Sequence, residues 1–71
     1  MDEDSEALKI IGAKIKNKRQ EKGFTQASFA SFCGLDYRNL QRIEYGKANP
    51  SLKTLFIIAT VLDIKYVDLF E

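Results

Sequence analysis

Glycine sets the frame of this sequence. Gly23, Gly34 and Gly46 recur at intervals of about a dozen residues, and a helix-starting residue soon follows each: Thr25, Asp36, and Ser51 behind the Asn49-Pro50 turn. A glycine beyond the last apolar position stops a helix, and Ser, Thr or Asp before the next apolar run starts one. The chain is thereby divided into segments that can only be short helices packed on one another. A first helix is expected over residues 6–21, where Leu8, Ile11, Ile15 and Arg19 fall on one face at three- and four-residue steps. Further helices are expected over 26–33, 37–45 and 52–62, and a last turn or two over 65–70. No segment alternates at period two between hairpin signals, so no strand is expected. The fold class is all-α: a compact five-helix domain over residues 7–71, preceded by an acidic N-terminal tail or helix start over residues 1–6.

A chain of 71 residues is one small domain, burying only about 60% of its unfolded surface. It is 45% hydrophobic and 30% charged with one Pro, which excludes collagen-like, Pro-rich and disordered classes. The single Cys33 excludes an internal disulfide framework and a cysteine-based zinc site. Cys33 reads as a buried small hydrophobe rather than a redox thiol. The chain has no histidine, and it shows neither an acid pair in a plausible cleft nor a glycine-rich phosphate loop. Neither an enzyme nor a metal or cofactor is expected. The longest apolar run, Leu55 to Ala59, is five residues, against roughly 20 for a membrane span. With no secretory pattern at the start, a soluble cytoplasmic protein is expected.

Charge is distributed unevenly. Asp2, Glu3, Asp4 and Glu6 open the chain, whereas residues 9–53 hold ten Lys or Arg against Glu21, Asp36 and Glu44. A basic centre between acidic ends points to an anionic partner. Yet the sequence pI of about 7.8 is lower than the value above about 9 common among nucleic-acid-binding domains.

The second and third segments, joined by a turn containing Gly34, have helix-turn-helix proportions. Ala30 is small enough to let the third helix cross closely, with Leu35, Leu40 and Ile43 as apolar contacts. At 100° per residue, Leu40, Ile43 and Glu44 share the inward arc of the third helix. Tyr37, Arg38, Gln41, Arg42 and Tyr45 lie opposite. In a major groove, Arg suits guanine, Gln suits adenine, and Tyr suits phosphate or a thymine methyl. Tyr37, Arg38, Gln41 and Arg42 are therefore the candidate base readers, while Tyr45 can instead pack on the following loop. Asp36 is read as a helix cap. Phosphate contacts are expected from Thr25 and Gln26 at the start of the second helix and from Lys47, Asn49 and Ser51 before the fourth. Lys18, Lys22 and Lys53 read as solubilising charges.

Two charges fall on apolar faces. Glu44 adjoins the inward arc of the third helix, and Arg19 shares the face of Leu8 and Ile15. Each alone would be costly to desolvate, so the two are expected to pair, structurally and in bidentate fashion. In the fourth segment, Leu52, Leu55, Phe56, Ile58, Ala59 and Leu62 form one broad arc, while Ile57 and Val61 project elsewhere. The last segment can cover part of this surface. The remainder, with Ile57, Val61, Tyr66 and Phe70, is a candidate homodimer patch, since no separate oligomerisation domain follows.

The string Arg19-xxx-Gly23-Phe24-Thr25-Gln26-xx-Phe29-Ala30-xxx-Gly34-Leu35 resembles the Xre/Cro-type, lambda-repressor-like DNA-binding domains. So do Leu40-xx-Ile43-Glu44-x-Gly46-xxx-Pro50-Ser51-Leu52-xx-Leu55-xx-Ile58-Ala59 and Leu62-Asp63-Ile64-xxx-Asp68-Leu69-Phe70. The resemblance spans about residues 8–70. It implies a five-helix domain that binds double-stranded DNA at a palindromic operator as a homodimer, with the third helix in the major groove. It further implies phosphate contact at Gln26, base readout at Tyr37, Arg38 and Arg42, an Arg19–Glu44 pair, and a cytoplasmic, nucleoid-associated place. Asp36-Tyr37 departs from the small polar residues or Gln of many relatives, so the operator does not transfer. The acidic opening lies outside the pattern; it can lower non-specific DNA affinity or have no effect. The function expected is a sequence-specific transcriptional regulator, whether a phage-type repressor, a restriction–modification controller or an antitoxin-like autoregulator. The alternative is a protein-interaction module of the same fold without DNA binding, its protein partner unknown. That module would favour acids or large apolar groups on the outward face, where Arg38, Gln41 and Arg42 stand.

Overall fold

A computed structural model describes residues 2–70, and the side chains of residues 6–70. α1 spans Asp2–Glu21, α2 Gln26–Cys33, α3 Tyr37–Glu44 and α4 Leu52–Leu62; a 3-10 turn follows over Tyr66–Leu69. Five expected helices are thus corrected to four α-helices and one turn. The turn closes through i,i+3 bonds, from Asp68 N–H to the Lys65 carbonyl at 2.9 Å and from Phe70 N–H to that of Val67 at 3.0 Å. Four residues cannot close enough i,i+4 bonds to offset helix nucleation. α1 starts at Asp2 rather than near Glu6, as suits an acidic sequence at a helix N-terminus. The side chains of the first five residues, and the effect expected of them on DNA affinity, lie outside the described residues.

All four helices end alike. A left-handed residue follows the last turn: Gly23, Gly34, Gly46 or Asp63, with φ of 82°, 68°, 75° and 57°. The next N–H then reaches back five residues: Phe24 to Arg19 at 3.1 Å, Leu35 to Ala30 at 2.8 Å, Lys47 to Arg42 at 2.8 Å and Ile64 to Ala59 at 3.1 Å. This closure satisfies terminal carbonyls that the helix leaves unpaired. Asp63 adopts the conformation without glycine's freedom.

The core is one cluster in which Ile15, Phe29, Leu40, Ile58, Leu62 and Leu69 are fully buried. α3 packs on α1 and α2, α4 on α2 and α1, and the 3-10 turn on α4 and α1. Gly12 lies where α1 meets the end of α3. A Cβ there would overlap the Ile43 carbonyl oxygen and come within 2.6 Å of that of Glu44. The missing side chain is therefore what lets the two helices touch.

Two expectations about side chains change. Leu52 and Phe56 are exposed rather than part of the α4 core arc; the Phe56 ring stacks on Tyr66 at 4.1 Å instead of being enclosed. Asp36 holds the extended N-cap backbone of α3, but its carboxylate makes no capping hydrogen bond. Among the described residues, no helix is long and apolar enough to cross a membrane.

Candidate nucleic-acid interface

The interface is built from the end of α1 inward. Arg19 Nε donates to Glu44 Oε2 at 2.7 Å, and its Nη2 donates to Oε1 at 3.1 Å. The side chains are 7% and 0% exposed, so this is a desolvated, bidentate pair linking α1 to α3. The remaining Arg19 nitrogen, Nη1, donates to the Phe24 carbonyl at 2.9 Å. Gln26, the first residue of α2, adds a third helix: its Nε2 donates to Glu44 Oε1 at 2.9 Å. Among the described residues, every buried side-chain nitrogen and oxygen has a partner.

Thr25 and Ser28 form a capping box on α2. Ser28 N–H donates to Thr25 Oγ1 at 3.0 Å and Thr25 N–H to Ser28 Oγ at 3.1 Å. The Thr25 hydroxyl also donates to Ser28 Oγ at 3.0 Å. Ser51 caps α4 likewise: it accepts from Thr54 N–H at 3.1 Å and donates to Thr54 Oγ1 at 3.0 Å. Both expected phosphate-contact hydroxyls are thus engaged in caps, while the Gln26 amide is half-buried and Lys47 and Asn49 are exposed.

α2 and α3 meet through Ala30, Leu40 and Ile43, all buried. Their packing leaves Tyr37, Arg38 and Arg42 exposed and Gln41 half-buried. The structure brings these four onto one face, flanked by the start of α2 and by the loop before α4. Gln41 Nε2 donates to the Tyr37 phenol oxygen at 3.3 Å. Arg42 Nη2 donates to the Lys47 carbonyl at 2.9 Å. Tyr45 is exposed.

The expected dimer residues lie apart from this face. Ile57 and Phe70 are exposed, whereas Val61 and Tyr66 are half-buried against the core. Phe56 extends the patch, forming with Tyr66 and Phe70 an aromatic row at 4.1 and 5.0 Å. Cys33 is buried in the core, and burial pushes its thiol up to about 11, away from nucleophilic use at neutral pH. Among the described residues, no His, Cys, Asp or Glu cluster could hold a metal.

Sequence reasoning missed Gly12, whose signal was a lone glycine inside a periodic apolar helix. It also missed the two arginine–carbonyl contacts. Their signal was the repeat Arg19-xxx-Gly23 and Arg42-xxx-Gly46.

The model of the family described as "Helix-turn-helix" matches residues 15–69, from the middle of α1 through the 3-10 turn. The chain belongs to this helix-turn-helix family, HTH_3. It is a family of transcription regulators, not of enzymes. The chain is 33% identical over 61 residues to an uncharacterised HTH-type transcriptional regulator of Sinorhizobium fredii, covering 86% of this chain and 79% of the relative. Its fold is similar to that of the restriction–modification controller protein C.AhdI of Aeromonas hydrophila, with TM-score 0.86, 35% identity, and coverage of 89% of this chain and 96% of that one. It is also similar to the biofilm regulator SinR, known from Bacillus subtilis and solved in complex with DNA. There the TM-score is 0.82 and the identity 34%, with 86% of this chain and 98% of that one covered. Within this helix-turn-helix protein, α2 and α3 are the two helices that give the family its name.

Proposed function

We propose that this helix-turn-helix protein is a sequence-specific DNA-binding transcriptional regulator that binds an inverted-repeat operator as a homodimer. One observation carries the reading. The exposed face of α3 presents Tyr37, Arg38, Gln41 and Arg42 without an acid, between the start of α2 and the Lys47–Ser51 loop. Placed in a major groove, that face brings Tyr37, Arg38 and Gln41 to base edges, with Arg42 one turn behind Arg38. Gln26, Lys47 and Asn49 flank it, where phosphates would run on either side. Similarity to SinR, solved with DNA, and to the controller C.AhdI supports the same reading.

The homodimer rests on the second apolar surface, where Phe56, Ile57 and Phe70 are exposed with Val61 and Tyr66 beside them. The body measures 32 × 24 × 21 Å. Two copies related by a twofold axis can set their α3 helices one DNA turn apart, roughly 34 Å. Such a regulator works in the cytoplasm beside the chromosome.

Selection from a pool of random duplexes, sequenced at two salt concentrations, tests this. Enrichment of two inverted half-sites, with affinity falling steeply with salt, is the expected result. Absence of enrichment and of binding near 50 mM salt would refute the regulator and direct attention to a protein partner. A monomer by ultracentrifugation, both free at high concentration and on DNA, would refute the dimer.

A further inference from the structure

Two arginines in this chain make the same unusual contact. Arg19 and Arg42 each stand four residues before a left-handed glycine, Gly23 and Gly46. In both cases the residue five positions on donates its N–H to the arginine's carbonyl: Phe24 to Arg19 at 3.1 Å and Lys47 to Arg42 at 2.8 Å. The arginine side chain then returns the bond to that residue's own carbonyl, Arg19 Nη1 to Phe24 and Arg42 Nη2 to Lys47, both at 2.9 Å. A guanidinium at a helix C-terminus also suits the helix dipole. At Arg19 the contact is structural, since the rest of that guanidinium is held by Glu44.

We propose that Arg42 is a positioning residue and not a base reader: its guanidinium clamps the loop after α3 so that Lys47 and Asn49 face the DNA backbone. The proposal rests on the DNA-binding reading above and deepens it. The outward direction of Arg42 on α3 makes base contact conceivable, but a bidentate guanine contact would require the guanidinium to turn away from the Lys47 carbonyl. The clamp holds the loop from both sides, through the main-chain bond into Arg42 and the side-chain bond out of it. Arg38, one turn earlier, is exposed and has no such tie among the described residues. Sequence readout then falls to Arg38 and to the Tyr37–Gln41 pair. The sequence preference of the protein and the strength of its phosphate grip are thereby assigned to different residues of one helix.

The test compares the unaltered chain with Arg42→Met, Arg42→Lys and Arg38→Ala on the selected duplex and on its complete set of single base-pair substitutions. Arg42→Met is expected to lower affinity about tenfold on every duplex alike and to make the salt dependence shallower by about one unit of slope, the effect of one lost phosphate contact. Arg42→Lys, whose ammonium can donate to the same carbonyl, is expected to restore most of the loss. Arg38→Ala is expected to erase preference at one position of each half-site. In the free protein, ¹⁵N relaxation should show Lys47, Ala48 and Asn49 more mobile in Arg42→Met, with the thermal melt unchanged. Loss of preference at a single position in Arg42→Met, or a loop as rigid as before, would overturn the proposal while leaving DNA binding intact. No enrichment with the unaltered chain would refute the DNA-binding reading, and the role assigned to Arg42 with it.

Discussion

Replacing Arg19 by Met and Glu44 by Leu, singly and together, probes the interaction on which the arrangement of three helices depends. The Glu44 carboxylate is 0% exposed and the Arg19 side chain 7%, so solvent screens neither charge. Arg19→Met leaves the buried Glu44 carboxyl group with only the Gln26 amide, 2.9 Å from Oε1, as a partner. Glu44→Leu leaves a guanidinium whose one remaining bond is to the Phe24 carbonyl at 2.9 Å. Stranding one member of a buried pair costs about 3–5 kcal/mol, whereas replacing both by apolar groups of similar volume is often near neutral. A 71-residue chain at about 0.1 kcal/mol per residue has roughly 7 kcal/mol of stability in all. Each single variant should therefore lose about half of it, and the double variant should recover to within about 1–2 kcal/mol of the unaltered chain. Urea unfolding followed by circular dichroism, run on all four proteins at fixed pH, measures the cycle. An Arg19→Met protein as stable as the original, or single losses that merely add, would refute this reasoning. The double variant also carries a DNA-binding consequence. It removes the acceptor that fixes Gln26, so a protein restored in stability should still bind DNA more weakly.

Other variants test other contacts. Gly12→Ala adds a good helix former, yet its Cβ would overlap the Ile43 carbonyl oxygen; a melting temperature lower by ten degrees or more is expected, corresponding to about 2–3 kcal/mol, and a rise would show that α1 and α3 are not in close contact. Asp63→Gly relieves a left-handed non-glycine residue at φ 57° and should stabilise the chain by about 0.5–1 kcal/mol, read as a melting temperature several degrees higher. The Cys33 thiol, raised to about 11 by burial, ionises more readily once unfolded. Its contribution to stability is complete below about pH 8.5 and is lost as pH rises toward 11, amounting to about 3 kcal/mol. Cys33→Ala should flatten that part of the stability–pH curve, and an unchanged slope would count against the burial argument.

The helix frame was legible because it depends on backbone chemistry visible in single residues. Gly23, Gly34 and Gly46 do end helices in the left-handed conformation, and Thr25 and Ser51 do cap the next ones. Periodicity likewise found the buried arc of α3, Leu40, Ile43 and Glu44. It failed where one helix alone does not decide burial. Leu52 and Phe56 lie at the edge of the arc that holds Leu55, Ile58, Ala59 and Leu62 on α4, and they are exposed. A short 3-10 turn lies where a fifth helix was expected, and it gives Phe56 a stacking partner in Tyr66 rather than an enclosure. Asp63 was invisible as a left-handed stop because the residue is not a glycine.

The site was less legible than the fold for a different physical reason. A helical wheel gives the direction of a side chain but not the hydrogen bond that occupies it. Thr25, Ser51, Gln26 and Arg42 all point where a nucleic-acid contact would need them, and each is already bonded within the chain. Their roles divide by the group each one holds. Gln26 is held by Glu44, and Glu44 by Arg19, so the start of α2 is registered against α1 and α3 by a single carboxylate. Arg42 ties the loop after α3 to the helix that would enter the groove. The internal bonds thus fix the elements that flank the α3 face, and leave Arg38 and the Tyr37–Gln41 pair as the part of that face that can vary without disturbing the fold. A change of DNA sequence preference through Tyr37 or Arg38 should therefore cost little stability, whereas substitution of Gln26 or Arg42 would loosen a flanking element and leave sequence preference as it was.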